Sequence, residues 1–466
     1  MKLMTSTILA LYLLSSCSLA KKIAKEADTV LLKDSAVSTG HMGISIYEPA
    51  TGKYWYNYNA SHYFIPASNT KLFTLYAGMK YLGDSLVGAE YQNFNDTAVN
   101  IRPTGDPTFL HPDFKNQPVL DFLKIKKNTY YISEGNKVEA LGYGWAWDDY
   151  NSNYMAERTS FPIFGNIIRI AVNGFKEIKT TYSVPEWIVE PKYFRRNIAT
   201  TFLPDEKIRA LRMDTSEQKK LTQQFNITRG RVDNKLSLVQ DASAFSSQEI
   251  PFFTDGIKTA AAILSDDLGF IIRIGRLSDN SLYPEIPAHL QWHKIHSQPT
   301  DSLFKPMMHR SDNFYAEQTL LMASNEFLGY MSDEKMIDTI LKTSLKDVPQ
   351  KPKWVDGSGL SRYNLFTPHD FVFLLNKMKD EFGLDRMKLI LATGGEGTLS
   401  SYYKKDAGFI YAKTGTLSNN CALSGYLITS RGKLLIFSIL ANNYITGATP
   451  VRRAVERFLQ QIRKNY

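Results

Sequence analysis

The sequence predicts an α/β protein of the α+β kind: one antiparallel sheet completed by both ends of the chain, flanked by helices and a helical subdomain, with a large β-rich insertion. Three observations predict it. Strand-like alternation occurs twice near the start and three times near the end. Helical stripes fill the stretches beside those strands. Between about residues 90 and 290 the pattern changes to short alternating segments broken by Pro and Gly turns.

Taken in order, residues 1–20 read as an export signal. Lys2 supplies the positive start, and the apolar run 8–14 is too short to span a bilayer. The run ends in Leu14-Ser15-Ser16-Cys17, which resembles a bacterial lipobox and makes Cys17 the expected site of lipidation. Cleavage after Ala20 is the alternative, because Ser18 and Ala20 satisfy the small-residue rule. Either route exports the protein. The expected address is the periplasmic side of the cell envelope, anchored to a membrane through Cys17, since no later segment reads as a transmembrane helix.

A charged leader, residues 21–33, precedes a β-hairpin formed by the run 41–47, a turn at Pro49 to Gly52, and the run 54–58. Pro66 then introduces a helix whose stripe is Leu72, Phe73, Leu75, Tyr76, Met79 and Leu82. Within the β-rich middle one helix is expected, from Asp255 to Leu268. Further helices are expected at 302–308, 314–328 and 370–379. Three closing strands, 408–414, 422–429 and 433–440, lead into an amphipathic helix at 451–462. The expected domains are therefore 21–89 with 291–466, a first insertion of 90–165 with 252–290, and a second insertion, 166–251, nested inside the first.

Composition excludes some functions. The 466 residues are 43% apolar and 22% charged, as in ordinary globular proteins, with a net charge of +9 but no Lys/Arg run dense enough for nucleic acid. The two cysteines, Cys17 and Cys421, leave no internal disulfide if Cys17 is acylated or removed. Cys421 lies in an apolar run and reads as a buried small side chain. His293 and His296 lack the carboxylates that would complete a metal site, so no metal or other cofactor is expected.

Chemistry concentrates in three motifs. Ser68-Asn69-Thr70-Lys71 places a hydroxyl and an amine one helical turn apart. A serine needs something to take its proton, and a lysine kept from water can do so as a neutral amine. Ser311-Asp312-Asn313 opens the 314–328 helix and can present Ser311 and Asn313 together. Lys413-Thr414-Gly415 lies on the first closing strand, where alternation puts Lys413 and Gly415 on one face and Thr414 and Thr416 on the other. The three motifs in this order are the signature of class A β-lactamases and penicillin-binding proteins.

The first gap, Ser68 to Ser311, is more than twice the second, Ser311 to Lys413. In that respect the chain resembles the low-molecular-mass class C penicillin-binding proteins, the D-alanyl-D-alanine carboxypeptidase/endopeptidase family. Gly105-Asp-Pro107, the run 305–317, Asp356-Gly-Ser-Gly-Leu-Ser-Arg362, Gly397-Thr-Leu399 and the run 413–416 extend the resemblance. No motif supports it from about 170 to 250.

The resemblance implies a penicillin-binding/serine β-lactamase-like transpeptidase fold acting on peptidoglycan stem peptides, with β-lactams as inhibitors. Ser68 would be the nucleophile and Lys71 its base. Ser311 and Lys413 would relay a proton to the departing amine, and Asn313 would hold the substrate amide. Thr414 and Thr416 would bind the terminal carboxylate, beside a Gly415 where a side chain would crowd Lys413. Asp149 and Arg362 would read the two charges of a diaminopimelate side chain. Asp356 and Glu317 are expected to brace helices. A β-lactamase or esterase on the same fold, or a non-catalytic wall-binding protein, remains the alternative.

Overall fold

The computed structural model describes residues 20–95, 98–125, 129–133, 137–179, 182–202, 226–240, 247–275 and 291–466. The export signal and Cys17 lie outside the described residues.

Strands β1 (His41–Glu48) and β2 (Lys53–Tyr58) form the opening hairpin, and helix α1 (Lys71–Tyr81) follows. The middle of the chain supplies β3 (Ser85–Asn95), β4 (Ala98–Pro103), α2 (Pro118–Ile125) and β5 (Thr129–Ser133). After them come β6 (Ile167–Lys179), β7 (Tyr182–Glu190), β8 (Ile198–Phe202), β9 (Asn226–Arg229), β10 (Leu236–Gln240) and β11 (Ser247–Pro251). Helix α3 (Lys258–Leu268), β12 (Ile271–Gly275) and β13 (His293–Pro299) close this part. Helices α4 (Thr300–His309), α5 (Asn313–Leu328), α6 (Asp333–Lys342), α7 (Pro368–Phe382) and α8 (Leu384–Ile390) lead to β14 (Ala392–Thr393). The chain ends with β15 (Ile410–Leu417), β16 (Asn420–Ile428), β17 (Leu434–Asn442) and α9 (Ala448–Asn465).

The two ends of the chain build one six-stranded sheet in the order β14-β15-β16-β17-β1-β2. Its β1 and β17 pair antiparallel from His41 opposite Asn442 to Tyr47 opposite Ile436. Alternation along the strands separates two cores. Ala422, Tyr426, Ile436 and Leu440 face the helical layer, where Phe73, Phe304, Leu320 and Phe371 are buried. Leu423, Leu427, Phe437 and Ile439 face α9 through Val451, Phe458 and Leu459. Full burial of such side chains contributes about 1.5–3 kcal/mol each. These cores fix the two walls between which the motifs meet.

The β-rich middle holds three smaller sheets. A five-stranded sheet runs β12-β5-β4-β3-β13, and two three-stranded sheets run β11-β6-β7 and β8-β10-β9. One apolar cluster joins all three, with Ala89 and Ile132 from the first, Ile168 and Ile250 from the second, and Ile227 and Leu236 from the third.

Some elements differ from expectation. The leader is helical over residues 20–26 and continues as a π-helix, Ala27–Leu32. It buries Ile23, Ala27 and Leu31, an i, i+4, i+8 stripe hidden among charges. The middle contains a second short helix, α2, which buries Val119 and Leu123. Helices α6 and α8 were not anticipated either. Ser68 lies on a 3-10 turn, Ala67–Thr70, and the α-helix proper starts only at Lys71. His293 packs against Tyr91 with the two rings tilted, and His296 hydrogen-bonds Ser85. Among the described residues no helix is long and apolar enough to cross a membrane.

Candidate active site

The Ser68 turn is held from three directions. Ala67, just before it, has φ of 48°, in the left-handed region that costs a residue with a Cβ about 1 kcal/mol or more. Thr70 Oγ1 donates to Ala67 O at 2.9 Å, and Asn69 Nδ2 donates to Ser424 Oγ on β16 at 2.7 Å. Strand β15 lies so close that a Cβ on Gly415 would sit 2.4 Å from Pro66 O and 3.0 Å from Asn69 N. The crowding expected at Gly415 therefore comes from the backbone around Ser68. Gly359 makes the same approach from the other side: a Cβ there would lie 2.0 Å from Ala67 O.

Lys71 is fully buried and points its ammonium at three oxygens. It donates to Ser68 Oγ at 3.0 Å, Asn313 Oδ1 at 2.5 Å and Ser358 O at 2.7 Å. Three acceptors match the three N–H bonds of a charged lysine. Burial nevertheless lowers its pKa to about 8, against the pull of Asp356, Glu317 and Asp312. A modest rise in pH thus frees a lone pair on Nζ beside Ser68 Oγ.

Helix α5 starts where it does because Asp312 caps it, accepting from Tyr315 N at 3.0 Å. Ser311 before the cap has φ of 61°, which turns the chain sharply. Lys413 on β15 is fully buried and donates to Ser311 Oγ at 2.8 Å and to Thr414 O at 2.7 Å. Burial, then Lys71 and Arg452, push its pKa well below the usual lysine value. Asn313 is fixed by two bonds: it accepts from Lys71, and its Nδ2 donates to Tyr154 O at 2.9 Å. The structure brings Ser68, Lys71, Ser311, Asn313 and Lys413 into one connected cluster.

Lys413 and Gly415 face that cluster, while Thr414 and Thr416 face away as strand alternation requires. Thr414 Oγ1 donates to Thr398 Oγ1 at 2.8 Å, and Thr416 Oγ1 accepts from Arg452 on α9. Strand β14 covers only Tyr411 and Ala412, so among the described residues the β15 edge beyond them has no strand partner.

Beneath Lys71 lies a buried acidic network. Asp356 accepts from Gly359 N at 2.8 Å, Ser361 N at 2.7 Å, Asn364 Nδ2 at 2.7 Å and Trp145 Nε1 at 3.0 Å. Glu317 accepts from Ser358 N at 2.7 Å and from Arg158 Nη1 at 3.3 Å. Burial and Asp356 raise the Glu317 pKa to about 7, opposed by Arg158. Both acids brace the loop that offers Ser358 O to Lys71, where helix bracing had been expected.

Asp149 and Arg362 lie outside the cluster. Asp149 sits on a 3-10 turn, Trp147–Asn151, near the Tyr154 phenol, whose pKa burial and Asp149 raise. Arg362 is exposed and donates twice to Ser418 O at 3.3 Å, just past β15. Their segments touch: Trp145 bonds Asp356, and Tyr143 stacks on Tyr363 with centroids 5.3 Å apart. Sequence reasoning missed the Ser358 and Tyr154 carbonyls, the Thr398 hydroxyl, Arg452 and Arg158. Thr398 and Ser358 carried a signal, within the Gly397-Thr-Leu399 and Asp356–Arg362 motifs. Cys421 is buried with a free thiol. No group of three His, Cys, Asp or Glu is placed to hold a metal among the described residues.

Comparison with known proteins finds a matching family and similar folds. The family model described as D-Ala-D-Ala carboxypeptidase 3 (S13) matches residues 23–183 and 281–465. The chain is 25% identical over 422 residues to the D-alanyl-D-alanine carboxypeptidase DacB of Haemophilus influenzae, covering 84% of this chain and 83% of that protein. It is 23% identical over 467 residues to a D-alanyl-D-alanine carboxypeptidase of Actinomadura sp., covering 92% and 82%. The crystal structure of penicillin binding protein 4 from Haemophilus influenzae superposes with a TM-score of 0.69 at 19% identity, over 95% of this chain and 99% of that one. A structure of that protein with a bound β-lactam gives 0.64 at 18% identity, with the same coverage.

Proposed function

The chain belongs to the D-Ala-D-Ala carboxypeptidase 3 (S13) family, and from that premise we propose that Ser68 is the nucleophile of a serine peptidase acting on peptidoglycan stem peptides. The observation that carries this reading is the amine of Lys71 held 3.0 Å from Ser68 Oγ, with the Lys413–Ser311 pair in the same cluster.

In the first step the neutral amine of Lys71 takes the Ser68 proton while Oγ attacks the carbonyl of the penultimate D-alanine. The C–O bond forms and the C–N bond breaks. The proton reaches the departing nitrogen through Ser311, with Lys413 at its back. Water then hydrolyses the ester and restores Ser68. The oxyanion would lie between the backbone N–H groups of Ser68 and Thr416; fixed donors of this kind are worth about 3–4 kcal/mol. The substrate backbone would add as a strand to the open edge of β15, with Asn313 holding its amide.

Thr416 already accepts from Arg452, so its hydrogen is free for the terminal carboxylate, whereas Thr414 must turn from Thr398 to join it. Asp149 and Arg362 would take the two charges of diaminopimelate. The domain division 21–89 with 291–466, 90–165 with 252–290, and 166–251 belongs to the same reading. So does export to the periplasmic side of the envelope with a lipid anchor on Cys17.

A β-lactam presents a carbonyl like that of the D-alanyl bond, but its ring nitrogen stays tethered after attack. Intact-mass analysis should therefore find one added penicillin on the Ser68 peptide and none in Ser68→Ala. The labelling rate should climb about tenfold per pH unit below pH 8 and then level, as Lys71 loses its proton. Equal labelling of Ser68→Ala, or a rate flat from pH 6 to 8, would refute the assignment.

A further inference from the structure

Beside Ser311 and Asn313 opens a cleft of about 390 Å³, within the roughly 300–1,000 Å³ usual for ligand pockets. The start of α5 and parts of the insertion line it. Two ion pairs stand on its walls. Arg310 forks onto both oxygens of Asp113, and Arg169 Nε meets Glu249 Oε1 at 3.1 Å. All four groups keep solvent access, from 23% at Arg169 to 48% at Arg310. Its floor is fixed: Tyr315 OH donates to Asp113 Oδ2 at 2.8 Å and lies 2.9 Å from His111 Nδ1. Burial pulls the His111 pKa down to about 4, so the floor carries a neutral imidazole.

We propose that this cleft binds the departing peptide of a cross-linked substrate. The inference rests on the assignment of Ser68 as nucleophile and Ser311 as the group beside the departing nitrogen. When one amino acid departs, only its terminal carboxylate needs holding, which falls to Thr414 and Thr416. When a second stem peptide departs, its amine sits on a carbon that also bears a carboxylate, and more charged chain follows. A cleft that begins at Ser311 and alternates cation with anion matches that ligand. Arg310 and Arg169 meet carboxylates, and Asp113 and Glu249 meet ammonium or amide N–H groups. The bond formed is Ser68 Oγ to the D-alanyl carbon. The bond broken joins that carbon to the nitrogen of the second peptide, which leaves as a free amine with the proton from Ser68. Hydrolysis of the ester then gives the shortened donor peptide.

The test compares three reactions of the full chain: splitting of a cross-linked muropeptide dimer, release of D-alanine from a monomeric pentapeptide, and labelling by penicillin. Arg169→Ala and Glu249→Gln should each lower kcat/KM on the dimer about tenfold. Pentapeptide turnover and penicillin labelling should stay within about twofold. Glu249→Gln keeps the side-chain shape, so it reports even where Arg169→Ala fails to fold. Dimer splitting unchanged in both variants, or all three reactions falling together, overturns the site. So does a wild-type chain that releases D-alanine but splits no dimer. Absence of penicillin labelling in the wild type strikes the Ser68 assignment first, and this site with it.

Discussion

Arg362 holds its guanidinium at the surface on the Ser418 carbonyl, and Asp149 lies near the Tyr154 phenol. Neither touches Ser68, Lys71 or Lys413 in the described bonds. If they read the zwitterionic end of diaminopimelate, each loss removes a hydrogen bond to a charged group, worth about 1.5–3 kcal/mol. Arg362→Ala and Asp149→Ala should therefore lower kcat/KM about ten- to a hundredfold on stem peptides that present that end. Penicillin labelling should barely change, with circular dichroism confirming the fold. Parallel losses on both substrates would count against the reading. The five clustered residues were legible because each motif packs its chemistry into three or four positions. The Ser358 and Tyr154 carbonyls were not, since every residue has a carbonyl and only the fold selects one. Arg452 was silent for a related reason: nothing near it in the sequence says that α9 faces Thr416.

The closing strands were readable because long apolar runs sat between clear turns, and both of their faces are buried. The shared sheet followed from counting strands at the two ends. Helix α6 hid because its buried Met336, Ile337 and Ile340 are scattered among seven other, mostly polar or charged, residues. Helices α2 and α8 are too short to show a period. Gly415 illustrates the limit of local reasoning. Alternation correctly put it on the Lys413 face, but the atoms that forbid a side chain belong to Pro66 and Asn69, far away in sequence.

Arg158 ties the insertion to the catalytic layer. It is buried, bonds Glu317 and Asp333, and also reaches the Glu139 and Leu141 carbonyls. Removing one partner of a buried pair costs about 3–5 kcal/mol, so Arg158→Ala should lower Tm clearly. The sign of its pH dependence follows from Glu317, whose folded pKa is raised from 4.5 to about 7. Stability from that group is complete below pH 4.5 and is lost as pH rises through 7. Without Arg158 the carboxylate is harder still to bury, so the Tm loss should be larger at pH 8 than at pH 5. An equal loss at both would disprove the coupling. At the scale of the cell, the lipid anchor proposed for Cys17 predicts partition into detergent, and Cys17→Ser should remain in the aqueous phase. An unmodified N-terminus at Lys21 would remove the anchor and leave the enzyme untouched.

The pairing of β1 with β17 joins residue 41 to residue 442. A ribosome makes the chain from the other direction of need: the Ser68 turn emerges early, while Lys413 and the strands beside it emerge near the end. Contacts so distant in sequence form slowly, because the loop between them must close before they reward it. A nascent or prematurely ended chain therefore holds Ser68 and Lys71 without Lys413 and the strands that complete the cluster. Timing is written into the topology, and only a finished polypeptide can cut.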